Sequence, residues 1–107
     1  MGLTEADAKA LVNEGVLSAD YDEHKEAIEF YAKALKIIET SETYLNKGIS
    51  LVELEKYDDA ISSYEKAIEI SPGYADAWYN KAELLKHKGQ DAESETCFAK
   101  VKELEGE

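Results

Sequence analysis

Apolar residues along this chain fall into helix-spaced stripes, and the stripes come in pairs. Ala8, Leu11, Val12, Gly15 and Val16 follow the three-four spacing of one helical face, and Ala27, Ile28, Tyr31, Ala34, Leu35 and Ile38 follow it on the next. Thr4 with Asp7 three residues on has the form of an N-terminal cap, so the first helix is expected to start there and to break near Tyr21–Asp22. A second helix is expected from about His24. Thr40–Ser41 reads as a turn, with Ser41 capping a third helix that runs to about Leu54. A fourth helix should span Tyr57 to about Ile70, stopped by Ser71–Pro72–Gly73, because proline cannot continue a helix and glycine tolerates the turn. A fifth from Ala75 to about Lys88, closed by Gly89, and a sixth from Asp91 to about Glu105 complete the chain. No segment alternates apolar and polar residues in the manner of a strand.

The pairs repeat with a period of 33 to 34 residues. Ala27, Ala60 and Ser94 share one frame, as do Tyr31, Tyr64 and Phe98; in the other half Leu11, Tyr44 and Trp78 align, and so do Gly15, Gly48 and Ala82. A period of that length marks stacked helical hairpins, in which no unit buries its apolar face without a neighbour. The small residues are expected to let the two helices of a hairpin approach closely, while Tyr31, Tyr64 and Phe98 fill the space between successive hairpins. A glycine inside a helix costs about 1 kcal/mol against alanine, so its recurrence implies a compensating contact.

Composition narrows the partners. Of 107 residues, 24 are acidic and 12 are basic, a formal charge of −12, and every basic residue is lysine. A chain so acidic repels nucleic acid and anionic membranes, and without arginine it lacks the planar fork that grips carboxylates and phosphates. No apolar run approaches the length of a membrane span, and residues 1–5 have no signal-peptide character. The single cysteine, Cys97, fits a reducing compartment, and we expect a cytoplasmic protein. His24 and His87 have no partner at metal-pair spacing, no phosphate loop or nucleophile triad is present, and Cys97 reads as structural. Neither catalysis nor a cofactor is expected.

The repeat resembles the tetratricopeptide repeat over nearly the whole chain, as three units at about 8–40, 41–74 and 75–107. The middle unit carries Tyr44, Gly48, Leu51, Tyr57, Ala60, Tyr64, Ala67 and Pro72 in the order and spacing of that family; the third keeps Trp78, Leu85, Gly89, Phe98 and Val101; the first, with Leu11 for the aromatic and Glu39 for the proline, is the weakest. The resemblance implies a single all-α domain, a right-handed superhelical stack of three antiparallel helical hairpins. It also implies a concave groove for peptides, lined by the first helix of each hairpin. Carried across, the groove positions are Val12, Asn13 and Val16, then Leu45, Asn46, Ile49, Val52 and Glu53, then Tyr79, Asn80, Glu83 and His87. Val12, Leu45, Ile49 and Tyr79 are expected to read side chains. Asn13, Asn46 and Asn80 share a frame, and an amide row can pair with peptide backbone whatever its sequence; asparagine can equally bond within its own helix.

The family's best-known grip, on acidic C-terminal tails of heat-shock chaperones, uses lysine, asparagine and arginine. Here only Asn46 agrees, since Val12, Val16, Asp76 and Asn80 occupy the other places. The resemblance therefore implies an adaptor or scaffold for a protein or peptide that is basic and apolar rather than acidic. Phe98, Val101 and Leu104 on the last helix form a further stripe, open to three readings. It is tolerated in a monomer, it pairs with a second copy in a homodimer, or the chain is a regulatory fragment of a larger protein.

Overall fold

The computed structural model describes residues 2–106, and within them the polypeptide forms six helices and no strand: α1 (Glu5–Asp20), α2 (His24–Ile37), α3 (Ser41–Glu53), α4 (Tyr57–Ile70), α5 (Ala75–His87) and α6 (Asp91–Leu104). Helices α1 and α2, α3 and α4, and α5 and α6 pair as antiparallel hairpins, and α2 on α3 and α4 on α5 join them into a right-handed superhelical stack. The stack measures 47 × 27 × 19 Å.

The helix ends follow local chemistry. At the start of α1 the Thr4 side chain accepts from the Asp7 amide while Asp7 accepts from the Thr4 amide at 2.7 Å, a reciprocal cap. At α3 the cap is Thr40 rather than Ser41: Thr40 Oγ1 accepts from the Thr43 amide at 3.2 Å. Ser41 is the first helical residue, buried, and its hydroxyl accepts from Ser71 at 3.0 Å, tying the start of α3 to the end of α4. Within each hairpin the connection turns through a left-handed residue in one frame, Asp22 (φ 62°), Glu55 (φ 59°) and Gly89 (φ 81°). Only the third unit uses the residue that adopts this conformation without steric cost.

Packing realises the repeat. Ala27, Ala60 and Ala67 are fully buried where helices meet, and Tyr31 and Tyr64 are each 2 % exposed. Tyr64 packs in one core with Leu45, Leu51, Ala77 and Leu84, so its ring does lie between successive hairpins. It also presses on its own hairpin, a contact the frame alone does not assign. A methyl group built on Gly48 would sit 2.5 Å from the Tyr64 ring, and one on Gly15 would sit 2.5 Å from Tyr31. The glycines are required by the rings.

In the third unit Ala82 takes the glycine's place, and Ser94 donates to the Ala82 carbonyl at 2.8 Å in the buried contact. His24 Nδ1 lies 3.2 Å from Ser50 Oγ and ties α2 to α3, which makes His24 a packing residue. The stack's one-dimensional logic is visible at Leu17, 52 % exposed on α1, whose frame partners Ser50 and Leu84 are buried by the hairpin before them.

Candidate functional site

Helices α1, α3 and α5 line one face of the stack, and the residues carried onto the groove separate into a surface and a floor. Asn13, Val16, Ile49, Glu53, Tyr79, Glu83 and His87 are exposed, and Val12, Asn46, Val52 and Asn80 are half-buried. Val16, Ile49 and Tyr79 are apolar side chains left open at successive hairpins. Leu45 is a correction. It is 7 % exposed and belongs to the core with Leu51, Tyr64 and Leu84, so it lies beneath this face rather than on its surface. Its position in the frame is shared with Val12 and Tyr79, but the stack buries the middle hairpin on both flanks.

Two recesses open along this face. One, about 360 Å3, lies between the first two hairpins, with Ala8, Val12, Ala34 and Ile38 as apolar lining and Glu5, Lys9 and Glu42 among its charged residues. The other, about 260 Å3, lies between the second and third hairpins and is lined by Val52, Tyr57, Tyr64, Asn80, Glu83, Leu84 and His87. In it the Tyr57 and His87 rings meet edge to face with centroids 5.1 Å apart. Burial, and then the negative charge of Glu53, push the Tyr64 phenol up to about 12. Asn80 donates from its amide to the Asp76 carbonyl of its own helix at 2.8 Å, which leaves the amide oxygen as an acceptor. Tyr57 and Tyr64 come from the second helix of their hairpin, so a reading confined to first helices misses them; the signal that could have found Tyr64 is its recurrence with Tyr31 and Phe98 in the repeat frame, whereas Tyr57, in frame with His24 and Asp91, gives none.

The stripe on the last helix is less open than its spacing implies. Val101 is 8 % exposed, because α5 covers it, and Phe98 and Leu104 are half-buried. The Phe98 ring meets Tyr79 edge to face at 5.7 Å, and a shallow recess of about 490 Å3 runs from Ala75 and Tyr79 to Val101 and Glu105. Cys97 is buried and burial raises its thiol above the usual range, conditions that suppress thiolate chemistry. Among the described residues no group of three metal-ligating side chains converges, and no helix is long and apolar enough to cross a membrane.

Family models agree with the repeat. One described as tetratricopeptide repeat matches residues 8–40 and 75–107, and one described as TPR repeat matches residues 48–89. No curated protein matches the chain. Among solved structures, that of MamA superposes with a TM-score of 0.87 at 21 % identity, covering 92 % of this chain and 58 % of that one, so the chain spans a little under three fifths of its length. The first TPR of Spaghetti (RPAP3), solved bound to the HSP90 peptide SRMEEVD, gives 0.91 at 20 % identity, covering 97 % and 83 %. The Sgt2 TPR domain from Aspergillus fumigatus gives 0.88 at 22 %, covering 94 % and 67 %. At these identities the likeness is one of fold. With three units matched in sequence and six helices stacked as three hairpins, the chain belongs to the tetratricopeptide repeat family, whose members are protein-interaction modules.

Proposed function

We propose that the chain is a non-catalytic adaptor that holds an extended peptide, apolar and basic in character, against α1, α3 and α5. The observation that carries this reading is the joint exposure of Val16 and Ile49, each 38 % open, and Tyr79, 47 % open, on successive hairpins. Asn13, Asn46 and Asn80 lie beside them and supply backbone partners. Charge sets the class of guest. Glu42, Glu53, Asp76 and Glu83 stand along the same face, and the places where an acidic tail would need lysine or arginine carry Val12, Asp76 and Asn80. The Spaghetti domain's peptide is acidic, and this groove should refuse it.

The test is binding to an immobilised library of random twelve-residue peptides and to SRMEEVD. We expect basic and apolar sequences to be retained and SRMEEVD to be lost. Replacing two hydrogen-bonding amides, Asn46→Ala with Asn80→Ala, should weaken the retained peptides about tenfold, at about 1 kcal/mol or less for each net hydrogen bond, with an unchanged melting temperature. Equal binding by the double variant would remove the amide row from the reading.

A second reading is favoured by one observation: Phe98 is half-buried where its frame partners Tyr31 and Tyr64 are sealed. On it, two copies associate through α6. Sedimentation equilibrium over a wide concentration range then gives a dimer that Phe98→Glu abolishes; a monomer at every concentration sinks this second reading.

A further inference from the structure

The recess between the second and third hairpins is lined by the Glu83 carboxylate, two phenols, an amide and the His87 ring, with no lysine among its lining residues. Tyr64, 2 % exposed, lines the recess, and its hydroxyl has no hydrogen-bond partner among the described residues. Asn80 donates one of its two amide hydrogens to the Asp76 carbonyl, and its oxygen is free to accept. Glu83 lines the recess, and Glu53 is near enough to act electrostatically on the Tyr64 phenol. Neither carboxylate has an ion-pair partner among the described residues; the lysines that do pair go to Glu65, Asp58 and Glu103 instead. The walls include the aromatic rings of Tyr57 and Tyr64.

An acceptor-rich recess with aromatic walls fits a guest that is all donor. An arginine side chain offers five N–H groups and no acceptor, and its plane stacks on aromatic faces; a lysine offers three donors on a point charge. An acidic guest would meet two carboxylates, and a purely apolar one would strip water from them without replacement. The third hairpin is what creates this chemistry. Glu83 stands in the frame of Val16 and Ile49, so the apolar position of the first two units has become acidic beside the recess.

We propose that this recess is a specificity subsite for one basic side chain, arginine above lysine, of a peptide lying in the groove. The proposal rests on the groove reading and deepens it. In this arrangement Tyr64 and Asn80 accept from the guanidinium, Glu53 and Glu83 neutralise it, and Tyr57 stacks against it.

The experiment takes the strongest arginine-containing peptide from the random library and remakes it with citrulline or lysine at each arginine. Citrulline keeps the shape and removes the charge. Affinities are read by fluorescence anisotropy at a pH where histidine is neutral. For wild type, citrulline at one position should weaken binding at least tenfold and lysine by less. In Glu53→Gln/Glu83→Gln that discrimination should collapse to about twofold, with the melting temperature retained. A control with the same charge change on α2, Glu26→Gln/Glu29→Gln, should keep it. Citrulline discrimination that survives intact in Glu53→Gln/Glu83→Gln, or that falls equally in the α2 control, would overturn the subsite. Peptides retained with no basic residue enriched would also overturn it while leaving the groove standing. A library that yields no binder at all removes both.

Discussion

Gly48→Ala should destabilise the protein by about 2 kcal/mol, although at an ordinary helical position the same change stabilises by about 1 kcal/mol. The sign reverses because the added methyl would meet Tyr64 Cε1 at 2.5 Å and Cδ1 at 2.7 Å. Relief requires the ring to move. It is 2 % exposed and packed in one core with Ala77 and Leu84 of the following hairpin, so it has nowhere to go without opening that junction. Overpacking of this kind costs about 1–3 kcal/mol, beyond the helical gain it must first cancel. For a domain of this size, a net loss of about 2 kcal/mol lowers the melting temperature by roughly 10 °C.

Gly15→Ala meets the same obstacle in Tyr31, also at 2.5 Å. Tyr64→Leu in the Gly48→Ala background should recover part of the loss, since a flexible side chain can yield where a ring cannot, and a double-mutant cycle measures that coupling. A melting temperature for Gly48→Ala at or above wild type would show that the ring gives way. The third hairpin is the natural comparison. Ala82 is tolerated there beside Phe98, a ring with no following hairpin pressed on it in this chain and therefore only half-buried.

How far the chain can be read without coordinates depends on whether a feature is local or shared. Helix positions are local: the stops at Pro72–Gly73 and Gly89 and the cap at Thr4 are set by residues within one turn, and the six helices fall where their spacing puts them. The error at Ser41 is also instructive, since Thr40 and Ser41 are both good capping residues; Thr40 takes the Thr43 amide, and the Ser41 hydroxyl accepts instead from distant Ser71. Stacking is legible through the period, which identifies Tyr64 as a residue between hairpins. Depth is not. Leu45, Val12 and Tyr79 share a frame, yet only Leu45 is buried, because the hairpins on both sides close over the middle one. Val101 is hidden differently, by α5 of its own hairpin. The recess that receives Tyr57, Tyr64 and Glu83 draws on three helices separated by turns, and no periodicity within one helix reports on it.

Alkali should destabilise this protein through Tyr64, by about 2–3 kcal/mol between pH 10 and pH 12. The phenol is pushed up to about 12 from an ordinary value of 10.0, chiefly by burial and secondarily by Glu53. The folded state therefore holds the proton after the unfolded chain has released it. Below pH 10 both states are protonated and the contribution is complete. Between pH 10 and 12 the unfolded state binds fewer protons, so stability falls as pH rises, at about 1.4 kcal/mol per unit. Burial of Tyr31 and Tyr74 acts in the same direction. Tyr44 is also raised to about 12, by its hydrogen bond to Glu39, but that pair is exposed and water screens it, so its share is small. Lysines lose charge over the same range, and comparing two proteins with identical lysines cancels most of that contribution. Urea unfolding of wild type and Tyr64→Phe at stepped pH makes the comparison. The two stability curves should run parallel to about pH 10, after which wild type falls away from the variant by 2–3 kcal/mol. Curves that stay parallel to pH 12 would mean that the Tyr64 hydroxyl meets solvent freely, and the recess would then lack the sheltered acceptor on which recognition of a basic side chain depends.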